Sequence, residues 1–134
     1  MSVSFEDFLK SAKELLDNPN STEIDFRNLI SRSYYALFHL SKQQAITLNL
    51  PIPEISSKEK QYLNLGNHQK IFVKFEKHSE THIRALGRMM YQRKDWRIKA
   101  DYEISESITK YQAQQHFFAV EGLIEKLKQL KTNL

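Results

Sequence analysis

"FRNLISRSYYALFHLSKQ", Phe26 to Gln43, is the stretch on which the fold turns. Phe26, Leu29, Ile30, Ser33, Tyr34, Leu37, Leu40 and Ser41 recur at steps of three and four residues, which places them on one face of an α-helix. Just upstream, Thr22 and Asp25 have the spacing of a capping pair, in which a hydroxyl and a carboxylate satisfy backbone N–H groups left over at a helix start. Ala45 continues the stripe, so one long helix is expected from Thr22 to about Leu48. Its face mixes aromatic with small side chains, and the small ones allow a second helix to approach closely.

The same period holds on both sides. Ser4 and Asp7 cap an expected first helix whose stripe is Phe5, Phe8, Leu9, Ala12, Leu15 and Leu16; "DNPNST" then breaks it, since Pro19 and the Asn residues favour a turn. "NLPIPEISS" is a loop, because Pro51 and Pro53 cannot continue a helix. The segment from Ser57 to Glu80 reads as a short helix, a break at Gly66-Asn67, and a further helix carrying Ile71, Phe72 and Phe75. Another should run from Thr81 to near Lys99 or slightly beyond. A last one should start at Ser105 or Ser107 and carry Ile108, Tyr111, Gln115, Phe118, Leu123, Leu127 and Leu130. No segment alternates as a strand would. The expected architecture is all-α, an up-and-down bundle of four or five helices over residues 1–134 as a single domain.

Composition agrees and excludes several classes. The chain has 134 residues, 40% hydrophobic and 27% charged, with three Gly and three Pro, values that suit one soluble helical domain. It has no cysteine, which rules out a disulfide scaffold, a thiol nucleophile and a Cys-ligated zinc site. No signal peptide is expected from "MSVSFEDFLKSAKELLD", and no stretch approaches the roughly 18 apolar residues of a membrane span, so a cytoplasmic protein is expected. GxxxxGK[ST], GxGxxG and GxSxG are all absent, and no cofactor is implied.

Charge is unevenly spread. Residues 1–27 hold six acids against three bases, whereas residues 82–99 hold six bases against the single acid Asp95. Such asymmetry favours an anionic partner. Arg84 and Arg88, like Arg93 and Arg97, are four apart and share a helix face. Guanidinium groups grip phosphate bidentately, and Trp96 or Tyr91 offers a ring on which a base can stack. The structural alternative is a solvated face paired with the acidic first helix. His78 and His82 have the i, i+4 spacing that can ligate a metal, but no HExxH acid accompanies them, and no metal site is expected.

Two stretches together resemble the HEPN family, in its small single-domain branch. Phe26–Gln43, with Tyr34-Tyr35-Ala36 followed by Phe38-His39, is similar to that branch's second helix; "RIKADY", Arg97–Tyr102, is similar to its Arg-x-x-Ala-Asp-Tyr element near the end of the fourth. The resemblance implies a bundle of four or five helices that dimerises. It also implies RNA as the partner, and metal-independent endoribonuclease activity in many members. Members act as toxins beside a nucleotidyltransferase-fold antitoxin, in phage defence, or alongside a larger effector protein; others have lost activity and only bind. Active members carry an Arg followed four to six residues later by a His. Arg97 matches that Arg, but Tyr102 stands five residues on where a His would be expected.

Metal-free RNA cleavage needs a base for the 2′-hydroxyl proton and cations for the phosphorane. Histidine suits the first task, arginine only the second, and a phenol is a weak base at neutral pH. The expected catalytic set is therefore Arg97, with Asp101 orienting it, Tyr102 donating to phosphate, and His39 as a candidate base if the second and fourth helices pack together. Arg88, Arg93, Lys94, Lys99 and Arg32 are expected to hold the RNA backbone. The structural alternative has Asp101 paired with Arg97 or Arg93 and Tyr102 packed on the Tyr34–Tyr35 helix. Rival functions are a non-catalytic interaction module that dimerises and docks a partner protein, and a nucleotide-binding regulatory domain.

Overall fold

The computed structural model describes residues 3–55, 62 and 65–131. Among the described residues five helices pack together: α1 (Phe5–Asp17), α2 (Glu23–Thr47), α3 (Asn67–Glu76), α4 (Thr81–Tyr102) and α5 (Lys110–Gln129). Among the described residues there is no strand. The helix expected between Ser57 and Leu65 lies largely outside the described residues.

The first two helices begin where the capping pairs place them. The Ser4 N–H donates to Asp7 Oδ2 at 2.8 Å, and the Thr22 N–H donates to Asp25 Oδ2 at 2.8 Å. A carboxylate in the first turn also lies favourably against the positive end of the helix dipole. α2 is the central element and touches all four others. Its expected stripe is buried at Leu29, Ile30, Ser33, Tyr34, Leu37, Leu40, Ser41 and Ala45, and Ala36 and Phe38 are buried as well. Burial round most of its circumference follows from its central position.

Two apolar clusters share this helix. The larger joins Tyr34, Leu37 and Phe38 to Phe72 and Phe75 of α3, Ile83 and Met90 of α4, and Val120 and Leu127 of α5. The smaller joins Ala12 and Leu16 of α1 to Leu29, Ile30, Ala100, Ile108 and Phe117, with Trp96 packed against it. Gly87 lets α4 close onto the end of α3: a Cβ there would lie 2.3 Å from the Glu76 backbone nitrogen.

Three sequence expectations need correction. α5 starts at Lys110, capped by Thr109, rather than at Ser105 or Ser107. Thr109 and Gln112 form a reciprocal cap, Gln112 N–H to Thr109 Oγ1 at 3.1 Å and Thr109 N–H to Gln112 Oε1 at 3.0 Å. The preceding turn is held by α2: Glu23 Oε1 accepts from the Ile108 N–H at 2.6 Å, and Arg27 donates to backbone carbonyls of the same turn. Second, Tyr111 and Phe118 do not face the core; they are 68% and 51% exposed, and the inward stripe runs through Ala113, His116, Phe117 and Val120. The interhelical space there takes a small residue and an imidazole in place of two large rings. Third, His78 lies in the turn between α3 and α4 while His82 is on α4, so the two do not share a helix face. The Nδ1 of His78 accepts from the Glu80 N–H, and among the described residues no three His, Asp or Glu side chains gather as a metal site.

Candidate phosphate-binding site

Along α4 the buried positions Ile83, Leu86 and Met90 form a stripe whose helical continuation is 93, 97 and 100. Those positions hold Arg93, Arg97 and Ala100. Two arginines thus occupy core-facing places, and each needs a polar or aromatic partner to offset its lost hydration.

Arg97 finds them on α2 and on its own helix. One Nη2 hydrogen goes to Tyr35 Oη at 2.7 Å, and the Asp101 carboxylate lies 3.0 Å from Nε. The Nε–H is not aimed at that carboxylate and is without a well-aligned acceptor, so the Asp101 contact is Coulombic attraction more than hydrogen bonding. The guanidinium carbon is 5.8, 5.4 and 5.6 Å from the ring centres of Tyr34, Tyr35 and Tyr102, a set of cation–π contacts. Burial works against its charge, but Tyr35 foremost, then Asp101 and Tyr102, outweigh it and hold its pKa above the ordinary arginine value. The side chain stays 15% exposed, enough to meet a ligand.

The ligand side is an open depression of about 280 Å³ lined by Gly66, Asn67, His68, Gln69, Lys94 and Arg97. α4 supplies the two cations and the start of α3 supplies the rest. His68 was not among the residues singled out from sequence. Its Nδ1 lies 2.5 Å from Tyr34 Oη, and its ring stacks on Phe38 at 4.0 Å and on Tyr34 at 5.5 Å between centres. Partial burial lowers the His68 pKa from its ordinary value, as do the charges of Arg97 and Lys94 and the neighbouring His39, which favours the neutral imidazole. Burial pushes the Tyr34 phenol up, so it keeps its proton.

The expected site residues separate into those the fold brings together and those it does not. Arg97, Asp101 and Tyr102 are together, with Asp101 Oδ2 also accepting from Ser31 Oγ at 3.3 Å. Tyr102 is 67% exposed beside the guanidinium. Lys94 joins them in the depression. His39 does not: α2 and α4 pack as that idea required, but Tyr35 is the residue that meets Arg97. His39 stacks on Phe8 of α1 at 5.3 Å and lines a separate depression with Phe5, Phe8 and Gln43.

The flanking cations scatter too. Arg93 turns to α5, where its Nη1 lies 3.3 Å from Nδ1 of the buried His116, and burial lowers its pKa. Lys99 pairs with Glu106 at 3.1 Å and lies 4.9 Å from the Trp96 ring centre. Arg32 donates to Ser11 Oγ at 2.9 Å, towards α1. Arg88 is exposed on the outer side of α4. Among the described residues, no ion pair joins an acid of α1 to a base of α4.

Arg27 is a second residue that sequence inspection passed over. Only 7% exposed, it donates through Nη1 to the Ala100 carbonyl at 2.9 Å and to that of Lys99 at 3.3 Å, and through Nη2 to Glu103 and Glu106. These carbonyls close the C-terminal end of α4, where a cation also complements the helix dipole. Arg27 therefore ties down the last turn of α4, the turn that carries Asp101 and Tyr102.

No family model matches the chain, and no curated protein or solved structure matches it either.

Proposed function

We propose that the protein binds RNA through its phosphate backbone, as a HEPN-type helical domain, with Arg97 and Lys94 as the central grip. One observation carries this reading: the two cations line a shared depression with His68, while the nearby acid, Asp101, 3.0 Å from Nε of Arg97, is not among the residues that line it. The tyrosine cage holds the guanidinium in place before any ligand arrives, which reduces the ordering cost of binding. Tyr102, largely exposed at the rim, is a ring on which a base can stack.

The test is fluorescence anisotropy with a labelled single-stranded RNA across a salt series. Binding should weaken steeply as salt rises, and Lys94→Ala should flatten the log–log slope by about 0.7, one phosphate contact on a single strand. An unchanged slope in Lys94→Ala, or no binding at low salt, overturns the reading. A response to mononucleotides alone would move the site to nucleotide binding.

The homodimer expected from the family resemblance rests on one further feature. Tyr111 and Phe118 lie two turns apart on the outer side of α5, both more than half exposed. A self-complementary strip of this kind suits a second copy of the chain.

A further inference from the structure

Tyr34 is fully buried, and among the described residues its hydroxyl has one partner, His68 Nδ1. Burial keeps the proton on the phenol, and a buried O–H without an acceptor is costly, so Tyr34 Oη donates and Nδ1 accepts. A neutral imidazole whose Nδ1 accepts carries its own proton on Nε2. The ring is also held in direction, stacked on Phe38 at 4.0 Å and on Tyr34 at 5.5 Å between centres. His68 therefore brings to the depression a fixed, uncharged N–H donor.

The other wall carries the Arg97 guanidinium and the Lys94 ammonium, and no acid lines the depression among the described residues. Three kinds of hydrogen-bond donor, bearing two positive charges, thus share a space of about 280 Å³. An internal phosphodiester offers them two non-bridging oxygens and one negative charge. A terminal phosphate offers three oxygens and, with a second pKa near 6, a charge of about −1.5 to −2 at pH 7. The space is also smaller than the roughly 300–1,000 Å³ of ordinary ligand pockets, which suits a strand end better than a run of nucleotides.

We propose that the depression seats the terminal phosphate of an RNA strand, with the Nε2–H of His68 as its specificity-determining donor. The inference rests on the RNA-binding reading above and names which phosphate Arg97 and Lys94 grip. The two cations hold two of its oxygens, and His68 donates to the third, the oxygen that an internal phosphate lacks. Tyr102, exposed beside Arg97, takes the base of the terminal nucleotide. Tyr34 is the positioning residue, since its hydroxyl holds the His68 tautomer.

The experiment is competition by anisotropy at low salt and pH 7, with one RNA sequence bearing a 5′-phosphate, a 3′-phosphate or hydroxyls at both ends. A hydroxyl-ended strand two nucleotides longer carries the same total charge as the phosphorylated strands and serves as control. One phosphorylated end should bind about 10–100-fold more tightly than that control, the effect of an added charge-assisted hydrogen bond, and the 5′ or 3′ arm names the end that is seated. His68→Phe keeps the ring stack and should cut the preference about tenfold; so should Lys94→Gln, a position outside the packed core. Long-range ¹H–¹⁵N spectra of the His68 ring should show Nε2 protonated and Nδ1 bare, and Tyr34→Phe should lose that single tautomer. Phosphorylated strands that bind no better than the control, a preference that survives His68→Phe, or the opposite tautomer overturns the inference and leaves backbone binding standing. A nucleoside monophosphate that competes as well as the phosphorylated strand overturns the strand end as the occupant. Absence of binding by every strand overturns both readings.

Discussion

Acidification should destabilise this protein through a single buried imidazole. His116 is 1% exposed on α5; its Nδ1 faces Arg93 Nη1, and its buried Nε2 has no hydrogen-bond partner among the described residues. Burial foremost, and then the Arg93 charge, push its pKa down to about 3, against the pull of the Ile30 backbone. In the unfolded chain the ring titrates near its ordinary value of about 6.5. Between those two values the unfolded state binds the extra proton, so stability is complete above pH 6.5 and falls as pH drops. The slope is about 1.4 kcal/mol per pH unit, and integration from pH 7 to pH 5 gives a loss of about 2 kcal/mol. That is a large share of a typical total of roughly 5–15 kcal/mol. Urea unfolding followed by Trp96 fluorescence at pH 5, 6, 7 and 8 measures it, with His116→Leu as the comparison. His68 shifts in the same direction in both proteins, so its contribution cancels in the difference. The variant should lose less stability than wild type by about 2 kcal/mol over that range. Parallel pH profiles would refute a neutral, buried His116.

Arg27→Met should lower stability by about 2–4 kcal/mol, because the carbonyls of Ala100, Glu103 and Glu106 lose a charged donor in a partly dry site; urea titration at pH 7 reads this directly. Tyr111→Lys with Phe118→Glu should convert a dimer to a monomer by light scattering with little change in melting temperature, since both side chains face outward. A monomeric wild type would remove that face as a self-association surface.

Much of the fold was legible because helix periodicity and capping are local. Ser4 with Asp7 and Thr22 with Asp25 each use residues three apart, and the α2 stripe uses steps of three and four. The start of α5 was misplaced for the opposite reason. Ser105 and Ser107 are locally acceptable caps, but the turn is held by Arg27 and Glu23, some eighty residues away in the chain. The first half of the α5 stripe was misplaced by one or two positions, since the spacing 111, 115, 118 and the spacing 113, 116, 117, 120 are both helical and only packing against α2 selects the second. His116 and Ala113 fill the core while Tyr111 and Phe118 stay outside.

The candidate site divides along the same line. Arg97, Asp101 and Tyr102 lie within six residues on one helix, and their association follows from the i, i+4 relation and helix length. His68 is 29 residues upstream of Arg97, on a different helix, and no spacing rule connects the two. A signal was nonetheless present. The stripe Ile83, Leu86, Met90 extrapolates to positions 93 and 97, which turns both arginines inward, and an inward arginine must have partners on neighbouring helices. Arg93 and Arg97 then resolve differently. Arg93 ends against a neutral buried ring on the α5 side, where its charge is a burden. Arg97 ends at an opening, where three tyrosines surround it and Asp101 lies 3.0 Å from its Nε. With Lys94 beside it, making no ion pair among the described residues, two positive charges meet one negative. An arginine kept only for packing would reach its lowest energy fully paired. One surrounded by three tyrosines and a single acid, and still 15% exposed at a depression it shares with Lys94, is better suited to an anion that comes and goes.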